Sequence, residues 1–122
     1  MRIYCSGPMT GRRDHNAPAF HEAELRLGEQ GHTVINPCRI SLVFGGFDEI
    51  AESFALAYAY SRNLDIEGAR LARAVMDADL AAVRSCDAIY LLRGWEQSRG
   101  AKRELAEALA HGLKVMQEGA EQ

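Results

Sequence analysis

Four short runs rich in β-forming residues, Arg2–Ser6, Thr33–Ile35, Asp87–Leu92 and Lys114–Met116, are separated by stretches too long for hairpin turns. The stretches carry helical spacing instead. Parallel strands need crossovers of a dozen or more residues, usually helical, so this alternation points to an α/β protein with a parallel sheet covered on both faces. The first unit reads clearly: Gly7-Pro8 and Thr10-Gly11 close the first strand, and Pro18 sits in the first turn of a helix. Phe20, Ala23 and Leu27 form its apolar stripe, and Gly31 stands at its left-handed carboxyl cap. A long helix is expected over Asp65–Ser85 and another over Ala101–His111, capped by Gly112, with Glu118–Gln122 fraying.

Residues 40–64 resist this pattern. Gly45-Gly46 breaks it, and Asp48 to Arg62 is helical in composition yet apolar on nearly every face, with Phe54, Leu56, Tyr58 and Tyr60. Such a segment serves as a lid, as a subunit contact or as a helix wedged between two others, and its excess apolar surface leads us to expect a homo-oligomer, most simply a dimer.

The chain of 122 residues suits one domain, spanning 1–122, and 48% hydrophobic with 25% charged residues is ordinary for a globular protein. No apolar run has the length of a membrane span, and the amino-terminal run is too short for a signal-peptide core, so a cytoplasmic location is expected. Cys5, Cys38 and Cys86 are odd in number and widely spaced, which argues against a disulfide framework and a zinc site. A net charge of −3 argues against binding a nucleic-acid polymer, but a small anion needs only a few local basic groups.

Open parallel sheets bind ligands at the carboxyl ends of their strands. After the first strand, Gly7, Met9, Gly11, Arg12 and Arg13 offer backbone N–H groups and guanidiniums near a helix start, suited either to a phosphate or to a tight turn. After the third strand, Ser98 either caps the next helix or faces an anion, with Gly100 permitting close approach. No Walker A loop, dinucleotide fingerprint or metal cluster is present in the sequence, so no cofactor and no metal are expected.

On the long helix, Val75, Ala78, Ala82 and Val83 share a broad apolar arc, and Asp79 falls near its middle. A carboxylate aimed at a core needs a partner or a function. On the last helix, Ala101, Leu105, Ala108 and Leu109 form the core stripe. Glu104 borders it, where pattern alone favours a solvated residue paired with a basic neighbour. Asp79, Glu104, Tyr4 and Ser98 together would give two carboxylates, a phenol and a hydroxyl around one crevice, the recipe for glycosidic cleavage. In a poorly solvated site two carboxylates cannot both ionise cheaply, so the Asp79 pKa is expected to rise and Glu104 to be the ionised member.

Ile3-Tyr4-Cys5-Ser6-Gly7-Pro8-Met9-Thr10-Gly11, then Asp79-Leu80 with Cys86-Asp87-Ala88-Ile89, then Gly94-Trp95 leading to Ser98-x-Gly100-Ala101-x-x-Glu104, resemble the nucleoside 2-deoxyribosyltransferase superfamily. The likeness covers residues 1–37 and 76–117 and lies nearest its small bacterial and phage branch, with spacings similar to those of 2'-deoxynucleoside 5'-phosphate N-hydrolases. It implies a Rossmann-like (flavodoxin-like) three-layer sandwich with four to five parallel strands.

By that resemblance Glu104 is the nucleophile on the sugar C1', Asp79 the acid or orienting carboxylate near the base, and Tyr4 the partner of Glu104. Ser98, Gly100 and the loop Gly7, Met9, Gly11, Arg12 would hold a 5'-phosphate or 5'-hydroxyl. Trp95 is open to two roles, base stacking or core plug. The expected reaction is hydrolysis of the N-glycosidic bond of a nucleoside 5'-monophosphate with release of free base. The alternatives are deoxyribosyl transfer and a non-catalytic nucleotide-binding module. Residues 40–64, which border the base pocket in that superfamily, depart from its pattern. The carboxyl end lacks the tail that in some relatives reaches a neighbouring site, which weighs toward hydrolysis.

Overall fold

The computed structural model describes residues 1–9, 11–43 and 66–120, with side chains described for 1–9, 11–40 and 73–120. The elements are β1 (Arg2–Ser6), α1 (Ala17–Glu29), β2 (Thr33–Ile35), α2 (Pro37–Val43), α3 (Ile66–Arg84), β3 (Ala88–Leu91), α4 (Arg99–Ala110) and β4 (Lys114–Gln117), with 3-10 turns at Arg13–Asn16 and Trp95–Gln97. The strands form a parallel sheet of four in the order β2-β1-β3-β4.

That order reverses direction between β1 and β3. The chain leaves β1 through α1 toward β2 on one side, and leaves β3 through α4 toward β4 on the other. Crossovers of one hand therefore put α1 and α4 on opposite faces. Alternation along the strands supplies each face with its core. Ile3, Cys5, Ala88, Tyr90 and Leu92 pack with Phe20, Ala23 and Leu27 of α1, whereas Tyr4, Ile89 and Leu91 pack with Val83 of α3 and Ala108 of α4. Phe20 and Leu27 are fully buried, and each such side chain contributes about 1.5–3 kcal/mol. The reversal leaves a crevice beyond the carboxyl ends of β1 and β3, the place where open α/β sheets take their ligands. Its floor is fixed by the hydrogen bond from Leu92 N to Ser6 O at 2.8 Å and by the register that sets Tyr4 beside Ile89 and Ser6 beside Leu91.

Several local expectations change. Asn36-Pro37 ends β2 but also opens α2, because Asn36 Oδ1 accepts from Cys38 N at 2.9 Å and Pro37 occupies the first helical position. Before α1 the chain passes through Asp14, His15 and Asn16 at φ of 51°, 53° and 64°, a left-handed stretch that a β-carbon disfavours by about 1–2 kcal/mol per residue. On α4 Leu109 is not core, being 60% exposed; the buried stripe is Ala101, Glu104 and Ala108. Glu118 does not fray, since its N–H donates to Leu91 O at 2.9 Å and its carboxylate accepts from Arg93 N at 3.2 Å. The helix expected over 48–62, and the oligomer argued from it, lie outside the described residues. Among the described residues no helix is long and apolar enough to cross a membrane.

Candidate active site

The site is built from β1, α3 and α4. Tyr4 and Ser6 are two residues apart on β1, so both project to the face that α4 covers. Ala101 and Ala108 are small and fully packed, letting α4 approach the sheet closely, and Glu104 lies between them on the same stripe, 6% exposed. Its carboxylate is held from both sides. The Tyr4 hydroxyl donates to Oε2, and the Ser6 hydroxyl donates to Oε1 at 2.6 Å. The solvated, salt-bridged Glu104 that its border position suggested is therefore corrected: two hydroxyls, not a basic neighbour, satisfy it.

From α3, Asp79 adds the second carboxyl. It is half-buried, and its Oδ1 is fully enclosed with no hydrogen-bond partner among the described residues. Burial first, then the charge of Glu104, pushes the Asp79 carboxyl up to about 8. Glu104 does not stay in the ordinary carboxylate range either. Burial raises it to about 7, against the opposing pull of the Ser6 and Tyr4 hydroxyls. Desolvation thus outweighs two hydrogen bonds, and both carboxyls rise, with Asp79 the higher. Tyr4 is also raised, chiefly by burial and then by Glu104, so its phenol remains a proton donor. As the pH rises through neutrality, Glu104 loses its proton before Asp79: one base and one acid share a crevice.

Around this pair stand the loops. A β-carbon on Gly7 would lie 2.7 Å from Leu92 Cβ, so only glycine lets β1 run this close to the end of β3. Gly94, at φ +89°, is faced by Arg12, whose Nη2 lies 2.5 Å from where a β-carbon would be. The guanidinium therefore reaches from the β1 loop to the β3 loop. Met9 packs against the α1-side core, which leaves its backbone as what it can offer a ligand. Gly11, at φ +77°, has open space around it. Ser98 caps α4, its Oγ accepting from Ala101 N at 3.1 Å, and a β-carbon on Gly100 would make only ordinary contacts with Met76 and Ser98. Trp95 packs against the Tyr4-side core and also lines an open cavity of about 220 Å³ at the carboxyl ends of β3 and β4.

Tyr4, Glu104 and Asp79 are brought together as the sequence suggested, while Ser98 acts as a cap at the rim. Ser6 escaped the sequence reading. Its signal was the period of two that puts it on the same face as Tyr4, in a strand already read as leading to the site.

Over residues 1–117 the sequence matches the model of a family described as a domain of unknown function, DUF4406. The chain belongs to this family. Comparison with curated proteins gives no match. Among solved structures this family member resembles a 2-deoxyribosyltransferase from the psychrotolerant bacterium Bacillus psychrosaccharolyticus, with a TM-score of 0.64 at 18% identity, covering 96% of this chain and 71% of the other. The likeness establishes the fold: a Rossmann-like, flavodoxin-like sandwich with a four-stranded parallel sheet, at the lower end of the four to five strands expected.

Proposed function

We propose that the protein cleaves the N-glycosidic bond of a nucleoside 5'-monophosphate through Glu104 and releases the free base. The observation that carries this reading is the buried Glu104 carboxylate, gripped by Tyr4 and Ser6 beside the half-buried Asp79. In the first step a carboxylate oxygen of Glu104 bonds to C1', the C1'–N pair leaves with the base, and the base nitrogen takes the Asp79 proton. Water then attacks C1', the bond to Glu104 breaks and restores its carboxylate, and the water proton passes to Asp79. Arg12, the loop from Gly7 through Met9 to Gly11, and Ser98 with Gly100 hold the 5'-phosphate at the rim. The guanidinium that reaches between the two loops favours this placement.

Transfer of the sugar to a second base is the runner-up, favoured by the fold neighbour's description as a 2-deoxyribosyltransferase. The reading takes the protein to be a cytoplasmic homodimer of one domain per chain.

Incubating the protein with a panel of nucleosides and their 5'-monophosphates and resolving the products chromatographically tests the reaction. Free base supports hydrolysis. Release only when a second base is supplied supports transfer. Thermal stabilisation by a nucleotide with no base released would show a binding module and end the catalytic reading.

A further inference from the structure

We infer that Ser6 is a positioning residue that presents Oε1 of Glu104 to the sugar. This deepens the function proposed above and rests on it.

Ser6 ends β1, where the crevice opens, and Tyr4 lies two residues, about 7 Å, back along the strand. On this inference the oxygen bonded by Ser6, the last residue of β1, is the one on the crevice side, and the oxygen bonded by Tyr4 is the one behind it. Tyr4 is fully buried in the cluster with Ile89 and Leu91, and its hydroxyl holds Oε2. A carboxylate oxygen has two lone pairs. The Ser6 proton takes one on Oε1 and leaves the other to form the bond to C1' as the C1'–N pair departs with the base. The serine is itself held: it is fully buried, its carbonyl accepts from Leu92 N, and its register neighbour is Leu91.

The same hydroxyl governs when Glu104 carries charge. The titratable groups that act on Glu104 are Tyr4 from β1 and Asp79 from α3, and β3 turns the apolar Ile89 and Leu91 to this face. Among the described residues no cation pairs with it. The two hydroxyls are what favour the ionised form.

The test uses Ser6→Ala in the full chain. Carbon-13 carboxyl NMR without substrate, with the Glu104 signal assigned by its loss in Glu104→Gln, should show Glu104 titrating about one to two pH units higher than in the wild type, the effect of one lost hydrogen bond to a charged group. With substrate, the acid limb of the kcat/KM profile should move up by the same interval, lowering kcat/KM at pH 7 by about 5- to 50-fold, chiefly through kcat. Ser6→Thr, which keeps the hydroxyl, should return both toward wild type. A Glu104 that titrates alike in Ser6→Ala and the wild type overturns the inference, as does an acid limb in Ser6→Thr that matches Ser6→Ala. A wild-type protein that releases no base from any nucleotide fails the functional reading instead, and the NMR titration still decides whether Ser6 controls Glu104.

Discussion

Replacing Asp79 with asparagine takes an ionisable group out of a place where burial makes its charge expensive. Its carboxyl is raised from 3.8 to about 8. At about 1.4 kcal/mol per pH unit this sets a ceiling of about 6 kcal/mol on the stability forgone when the unfolded chain ionises and the folded one does not. Relaxation and water entry lower such penalties, and about 1–3 kcal/mol is the expected gain on removing it. The sign follows from proton counts. Below about pH 4 both states keep the proton and asparagine gains nothing. Between pH 4 and 8 the unfolded state releases its proton first, so wild-type stability falls as the pH rises; above 8 the deficit is complete. Asp79→Asn should therefore melt within about 2 °C of the wild type at pH 4 and about 3–15 °C above it at pH 8.5, since for a chain of this length 1 kcal/mol corresponds to about 3–5 °C. Thermal melts of both proteins across pH, followed by circular dichroism, make the comparison. A gain of equal size at both ends, or a loss at pH 8.5, would show that the Asp79 carboxylate is satisfied in the folded state and would refute the electrostatic reasoning.

Glu104→Gln should keep the fold and lower turnover at least about 1,000-fold, because the amide is nearly isosteric yet cannot attack C1'; steady-state base release measures this, and wild-type turnover would sink the nucleophile assignment. Gly7→Ala should destabilise the protein by about 1–3 kcal/mol in urea titration, because the new methyl would stand 2.7 Å from Leu92 Cβ; an unchanged midpoint would mean that the β1 and β3 ends are not so tightly apposed. Ser98→Ala should cost about 1 kcal/mol of stability through the lost cap on α4. It should also narrow the preference for 5'-monophosphates over nucleosides, and equal efficiency on both substrates before and after the change would remove Ser98 from phosphate binding.

The strand positions and the parallel sheet were legible because alternation and strand spacing are local properties. Arg2–Ser6 and Thr33–Ile35 have the bounds read from sequence, and β4 is longer by one residue, Gln117. What was not legible depended on how elements meet. Whether Glu104 or Leu109 faces the sheet is a rotation of α4 about its axis, decided by the hydroxyls waiting on β1 and not by the hydropathy of α4 itself. The same holds for the charge state of Glu104, since its burial between Ala101 and Ala108 raises a carboxyl that was expected to be the ionised member of the pair. Asn36-Pro37 carried two messages, a strand end and a helix start, and only the first was read. Ser6 lay in plain view as a strand residue, but its importance came from Glu104, 98 positions away.

The central claim, that Glu104 forms a bond to C1', is tested most directly by the stereochemistry of the reaction. With methanol added as a competing acceptor and a β-nucleotide as substrate, proton NMR of the methyl glycoside reports which face of the sugar the acceptor enters. Two displacements through Glu104 predict the β-anomer, the retained configuration. An α-anomer would mean that water or methanol attacks in a single displacement, and Glu104 would then be a base and not the nucleophile.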